Sequence, residues 1–402
     1  VATTTEREKR EKETIMRQVR WASWVAGLAI ALAVGGVRPV AADMTSDRAA
    51  AILTWPTVIH AEDNILGVLP FDIDTIIQLS NTSTDPVNVH CFYENANPHC
   101  TNTGEVCYDA EECCLPGAGC GICLPGWNET DFRIQITPRQ PLGWLASDGA
   151  SGFSTFPPKD FGTFAIDGVN NFGIGGSSNA GSRIPPVPEE PFIGSLRCIV
   201  VDEDGIPTDR NVIKGEATIE VNEGDFITVG KHNAIGLQAI EGAVNDDNVL
   251  VIGGPEPEYN GCPNIVILNH FFDGAEDPVT DDGAPIVTLL DLVPCSEDYL
   301  RQEPGGAVVQ YLVYNEFEQR FSTSRPFQCK QLSLISNIDT TQNERSIFSA
   351  GVSGTLTGQS RLNSIGSGIM AVAHEVHLSS GLADFNVHFQ GDRANPDFIV
   401  LP

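Results

Sequence analysis

Residues 74–92 read DTIIQLSNTSTDPVNVHCF. Two runs rich in Ile and Val flank Asn81-Thr-Ser-Thr-Asp-Pro86, and Asn, Asp, Ser and Pro each favour a bend over a hydrogen-bonded ladder. Beyond that block Val87, Val89 and Cys91 alternate with Asn88, His90 and Phe92. A period of two is the pattern of a half-buried strand. The stretch predicts a β-hairpin and, with it, a β chain.

The same pattern extends to both sides. AILTWPTVIH (51–60) precedes it, and DFRIQITPRQPLGWL (131–145) follows as a strand and a turn. Strands return at Phe192–Asp202, Gly215–Val221 and Phe226–Ile240. The second half carries seven more apolar runs, at 264–272, 286–293, 307–317, 346–358, 368–378, 383–391 and 397–401. The one short helix expected is SEDYLRQE (296–303). Many short strands separated by turn signals read as sandwiches or barrels. The predicted fold is therefore all-β: two tandem β-sandwich-like domains, 43–245 and 246–402, parted at the acidic segment Asn245-Asp246-Asp247-Asn248. The first would carry a disulfide-rich insert (91–123) and a Gly-, Ser- and Phe-rich loop (146–191). Ile76–Asn81 is similar to Val308–Asn315, and each leads to a strand ending in a cysteine, Cys91 or Cys329. Duplication and ordinary strand similarity both account for that likeness.

Residues 1–42 read as a leader. Arg17 and Arg20 follow Met16, Trp21–Val37 is apolar, and Val40-Ala41-Ala42 is a small-residue cleavage site; that order is the order of a secretory signal peptide. Asp43, not Cys, follows the cut, so no lipid anchor is expected there, and the mature chain shows no other long apolar run. Residues 1–42 hold seven basic and four acidic residues; the rest keeps 16 Lys and Arg against 49 Asp and Glu, a formal charge of −33. Four lysines follow residue 42: Lys159, Lys214, Lys231 and Lys330. So acidic a surface repels nucleic acid and anionic membranes, leaving a protein or a glycan as the expected partner.

Seven of the eleven cysteines (Cys91, Cys100, Cys107, Cys113, Cys114, Cys120 and Cys123) fall within 33 residues, and Cys198, Cys262, Cys295 and Cys329 are spread beyond them. Clustered cysteines fit an oxidising compartment, which points to a secreted, periplasmic or cell-surface protein. The insert has few apolar side chains and needs staples to hold a shape. Cys91 and Cys198 both lie on predicted strands of the first domain and are expected to pair. Two of Cys262, Cys295 and Cys329 should pair, leaving one over. Cys120-x2-Cys123 also has zinc-ligand spacing, but the vicinal Cys113-Cys114 and the oxidising compartment favour disulfides.

Two resemblances accompany these readings. NTSTDPVNVHCFY (81–93) resembles strand pairs of immunoglobulin-like sandwich domains in bacterial envelope proteins and, more narrowly, secreted bacterial proteins without a known activity. From Cys100 the spacing C-x6-C-x5-C-C-x5-C-x2-C resembles inhibitor-cystine-knot peptides, departing from them in its two-residue last loop. That resemblance implies the pairs Cys100–Cys114, Cys107–Cys120 and Cys113–Cys123; six cysteines alone allow fifteen connectivities.

Few residues carry recognisable chemistry. No cofactor is implied beyond calcium, for which the oxygen-rich turn bearing Asp202, Asp204 and Asp209 is the candidate site. The pair His374 and His377 in HEVH is not H-E-x-x-H; on a strand the two point to opposite faces, so they are expected as a surface or edge pair. Gly351-Val-Ser353-Gly354-Thr355 misses the last glycine of a nucleophile elbow, and no phosphate loop is present. Trp127, Trp144, Phe153 and Phe156 surround the insert and long loop as candidate binding rings. The reading is a secreted or cell-surface, non-catalytic protein with a structural or binding role, as in adhesion or a matrix. A carbohydrate-active hydrolase using unassigned carboxylates and a disulfide-linked subunit of an extracellular assembly are the alternatives.

Overall fold

A computed structural model describes residues 44, 46–62, 72–107, 113–115, 119–124, 126–149, 184–222, 227–244, 247–280, 283–339, 345–379, 381–391 and 393–402. The leader, Phe153, Phe156 and the boundary residues Asn245 and Asp246 lie outside the described residues.

The chain before residue 245 contributes β1 (Ile52–His60), β2 (Asp72–Asn81), β3 (Val87–Asn95), β4 (Asn128–Ile136), β5 (Pro141–Leu145), β6 (Phe192–Val201), β7 (Ile213–Asn222), β8 (Ile227–Asn233) and β9 (Ile235–Leu237). A first sheet runs β9-β1-β6-β3-β4 and a second β8-β7-β2-β5. The later chain contributes β10 (Val249–Ile252), β11 (Ile265–Phe271), β12 (Pro285–Pro294), β13 (Gly306–Asn315), β14 (Arg320–Gln328), β15 (Gln331–Leu334), β16 (Thr357–Gly366), β17 (Ile369–His377), β18 (Gly381–Asn386), β19 (His388–Gln390) and β20 (Asp397–Val400). The third sheet pairs β20 with β10 on one side and Glu297–Asp298 on the other. The fourth runs β14-β13-β16-β11-β19; the fifth places β12 beside β17 and β18, with β15 also on β12.

The all-β class holds. The two tandem sandwiches do not: residues 42–402 form one compact unit, and the five sheets make a propeller-like ring. Strand orders such as β9-β1-β6-β3-β4 nonetheless differ from the sequential meander of a propeller blade. Neighbouring sheets bury their faces on one another. Trp55, Ile77, Val89, Tyr93, Trp144 and Leu196 fill the space between the first two. Ile52, Phe92, Leu250, Val293, Met370 and Ile399 join the first to the third and fifth. Burying both faces explains why β6 is buried at all ten positions, Ser195 and Arg197 included.

The hairpin expectation for 74–92 fails in one respect. Both strands and the turn exist, but β2 pairs with β7 and β5 while β3 pairs with β6 and β4. The turn carries the chain from one sheet to the next. Asn81 builds this corner: its Oδ1 accepts from Ser83 N (2.9 Å), and its Nδ2 donates to Asp85 O (2.7 Å) and to Thr137 O on the neighbouring corner (3.1 Å).

The 296–303 segment is not a helix; it forms the two-residue strand Glu297–Asp298 and turns. Residues 346–356 form turns, and the strand there is the largely polar β16 (TGQSRLNSIG). The two similar segments occupy different settings: β13 and β14 form a true hairpin, whereas β2 and β3 part company.

Candidate functional site

The cystine insert grows out of one strand connection. β3 and β4 pair along their whole lengths, from Val87 opposite Ile136 to Asn95 opposite Asn128. The described residues between them form an insertion on that strand pair, with two short ladders of its own, His99–Cys100 on Cys123–Leu124 and Cys114–Leu115 on Gly119–Cys120. Its disulfides are Cys100–Cys113, Cys107–Cys123 and Cys114–Cys120, which corrects all three pairs implied by the cystine-knot resemblance. At its base Glu189 accepts from the Asn95 and Asn97 amides at 2.6 Å and contacts His99 Nε2 at 2.9 Å. Burial opposes the Glu189 charge, but these partners hold its pKa below the ordinary value. Farther out Ile122 and Leu124 are exposed at 62% and 49%.

In the scaffold Cys91 and Cys198, directly opposed on β3 and β6, are bonded as expected. Cys262 pairs with Cys295, and Cys329 is the free thiol, buried with Sγ against Asn95 O. Burial pushes the Cys329 thiol pKa well up.

The acidic turn is a structural corner. Asp202 Oδ1 accepts from Asp204 N and Ile206 N at 2.9 Å, and Asp209 Oδ2 accepts from Gly242 N at 3.0 Å. Among the described residues, the sets of three ligand atoms that close to within 4.8 Å are Cys100/Cys107/Cys113 and Cys262/Cys295/Asp397. Asp202, Asp204 and Asp209 form no such set, and the cysteines of both are in disulfides. The aromatic reading is corrected at Trp144, which is fully buried and donates to Tyr93 Oη (2.7 Å). Trp127 is half-buried, stacked beside Tyr299.

The most reactive-looking groups lie elsewhere, where β1, β12, β17 and β18 meet. Pro56 interrupts β1. Trp55 faces Leu196 and Val58 faces Gly194, so one extra residue is inserted. Proline cannot donate to a ladder and is tolerated in a strand at such a bulge, which re-aims the neighbouring side chain. Thr57 is turned into the core, with no exposure. Its Oγ1 lies 2.7 Å from Asp291 Oδ2 and 2.9 Å from His374 Nε2. His374 Nδ1 lies 2.7 Å from Asp384 Oδ1 on the directly opposed residue of β18.

Lys330 completes the array. Its Nζ donates to Asp291 Oδ2 and to Pro56 O, the carbonyl at the bulge. Its direction is set by Cys329, a non-glycine residue at φ 58°, where Lys330 N turns back to Gln328 O at 2.6 Å. Such left-handed non-glycine backbone is uncommon and clusters where a side chain must be placed. Lys330 and Asp291 side chains are 1% and 0% exposed. Gly230 of β8 leaves room for Asp384; a Cβ there would sit 2.3 Å from its Cγ.

Proton positions follow from this geometry. Thr57 donates to Asp291 and so accepts from His374 Nε2; His374 Nδ1 donates to Asp384. With both ring nitrogens turned to acceptors, the site favours the protonated ring. Burial opposes that charge, but Asp384, with Asp291 beyond it, outweighs burial and raises the His374 pKa. For Asp384 burial is likewise overcome: His374 and His232 hold its carboxyl well below the usual range. His232, 3.6 Å from Asp384, is depressed by its own burial. Asp291 and Asp384 thus face Lys330 and His374. His374 is core rather than the surface or edge residue expected, whereas His377, half-buried, pairs with Asp277 at 2.9 Å.

Sequence reasoning missed this array because its members are far apart: Thr57 is 234 positions from Asp291 and 317 from His374. The available signals were a proline inside an apolar run, a single acid in IVTLLDLV, and a lysine in a lysine-poor chain. The hydroxyl–imidazole–carboxylate spacing is that of a hydrolytic triad, yet Thr57 is sealed and its proton points to Asp291. No known protein-family model matches the chain, and no curated protein matches it significantly.

Proposed function

We propose that the chain is an extracellular, non-catalytic structural protein that binds a protein or glycan partner through its cystine insert. The observation that carries this reading is that the insert, among the described residues, adds no strand to the five main sheets, yet holds three disulfides of its own. Staples there preserve the shape of a projection rather than the scaffold, and a fixed shape lowers the ordering cost of binding. Exposed Ile122 and Leu124 supply apolar contact area on that projection.

The hydrolase alternative draws on the Thr57–His374–Asp384 spacing, but a substrate would have to open the core to reach Thr57 Oγ1. The linked-assembly alternative needs an accessible thiol, and Cys329 is 5% exposed.

The test is excision. A Cβ on Gly126 would lie 2.0 Å from Asn97 O, so the two ends of the insert already touch. Residues 98–125 can be replaced by a two-glycine link, and both proteins probed on panels of immobilised matrix proteins and glycans. The expected result is an unchanged scaffold melting temperature with loss of a binding signal shown by the intact chain. Equal binding by the shortened chain, or collapse of its scaffold, would overturn the reading.

A further inference from the structure

We propose that Lys330 and Asp291 become joined by an internal amide bond, made autocatalytically with Thr57 and the His374–Asp384 pair as the proton path.

An amine and a carboxyl are held in contact in a site closed to water, with Lys330 Nζ fixed from its other side by Pro56 O. Confinement of two reactants gives effective concentrations of about 10⁵–10⁸ M, enough to drive a condensation that dilute water disfavours. The two oxygens of Asp291 are inequivalent. Oδ2 meets both Lys330 and Thr57, whereas Oδ1, among the described residues, meets no donor. A buried charge left partly unsolvated is costly, and a neutral amide in its place relieves that cost.

The chemistry balances without a co-reactant. Lys330 gives one proton to the carboxyl and becomes a free amine, whose lone pair attacks Asp291 Cγ. Thr57 passes a proton to Oδ2 and takes one back from His374. The second nitrogen proton leaves as the tetrahedral intermediate collapses and restores the imidazolium. The C–N bond forms, the Cγ–Oδ2 bond breaks, and Oδ2 departs as water carrying the two protons the nitrogen lost. Oδ1 remains as the amide oxygen. Thr57 touches the reacting oxygen and is catalytic; His374 acts through Thr57 and is a positioning residue.

An oxygen-accepting role for Thr57 alone would leave His374 without purpose. With the Thr57 hydroxyl turned to Asp291, His374 Nε2 is the group placed to return a proton to Thr57 Oγ1. A plain buried ion pair is the rival arrangement, and it differs in mass.

The experiment is intact-mass spectrometry of the full chain, purified from an oxidising compartment, then reduced and denatured, with its N-terminus fixed by peptide mapping. The expected mass is one water below the sequence mass, with a tryptic species joining the Asp291 peptide to the Lys330 peptide and no cleavage after Lys330. Lys330→Met should show its full sequence mass. Thr57→Val should stay mostly unlinked while Thr57→Ser links. His374→Gln should fold by circular dichroism but link at least tenfold more slowly, with a rate that no longer varies with pH as the imidazole titrates. A full sequence mass for the natural chain, with separate Asp291 and Lys330 peptides, overturns the proposal outright. Thr57→Val linking as fast as the natural chain overturns the proton path.

Discussion

His270 shows how one residue can report on the fold. Its Nδ1 donates to Phe271 O and its Nε2 accepts from Ser360 Oγ, both at 2.9 Å, and the rings of Phe272 and Phe348 face it. Burial without a nearby acid lowers its pKa from 6.5 to about 4. The unfolded chain therefore binds a proton that the native state refuses. Stability from this residue is complete above pH 6.5 and is lost as the pH falls toward 4, a change of about 3 kcal/mol. His374 has the opposite sign: its raised pKa gives stability that is present in acid and lost as the pH rises. Urea titrations of the natural chain and His270→Asn between pH 7 and 4 check the first statement. The expected outcome is a shallower loss of stability in the variant, and parallel curves would refute it.

At the scale of elements, alternation revealed strands but not their partners. Val87, Val89 and Cys91 do face a core, and Asn81-Thr-Ser-Thr-Asp-Pro86 does turn. Nothing local distinguishes a turn within a sheet from a corner between sheets, because that depends on which distant strands compete for the ladder. The polar β14 and β16 escaped notice for the reverse reason: β14 alternates exposed and half-buried positions with few apolar side chains, so its pairing comes from backbone and neighbours. The bonded pair Cys91–Cys198 was legible because both cysteines sit on strands, and the insert's connectivity was not because spacing leaves it open. The insert's base offers an element-scale prediction. Glu189→Ala strips an acceptor from the Asn95 and Asn97 amides, each 1% exposed, at a local cost of about 1–3 kcal/mol. Hydrogen exchange should quicken across 97–107 while the scaffold's melting point moves little; unchanged exchange would show that the disulfides alone hold the base.

The whole molecule is knitted across the expected domain boundary. Buried Arg197 of β6 donates to the carbonyls of Pro294 and Cys295 at 3.0 and 3.1 Å, and Tyr299 donates to Glu94. Asn386 of β18 exchanges hydrogen bonds with Asn233 of β8. The Thr57 array itself spans both halves. A chain so joined should unfold in one step, with calorimetric and van't Hoff enthalpies equal. Two separable transitions, or an independently folded 43–245 fragment, would restore the two-domain view.

The two scaffold disulfides close loops with sequence separations of 107 and 33. Seen as a cable under tension, the molecule has a built-in length limit. Pulled from its ends past unfolding, it withholds about 500 Å of contour that a chain without those bonds would pay out. Exposure to reductant opens both bonds and frees that length.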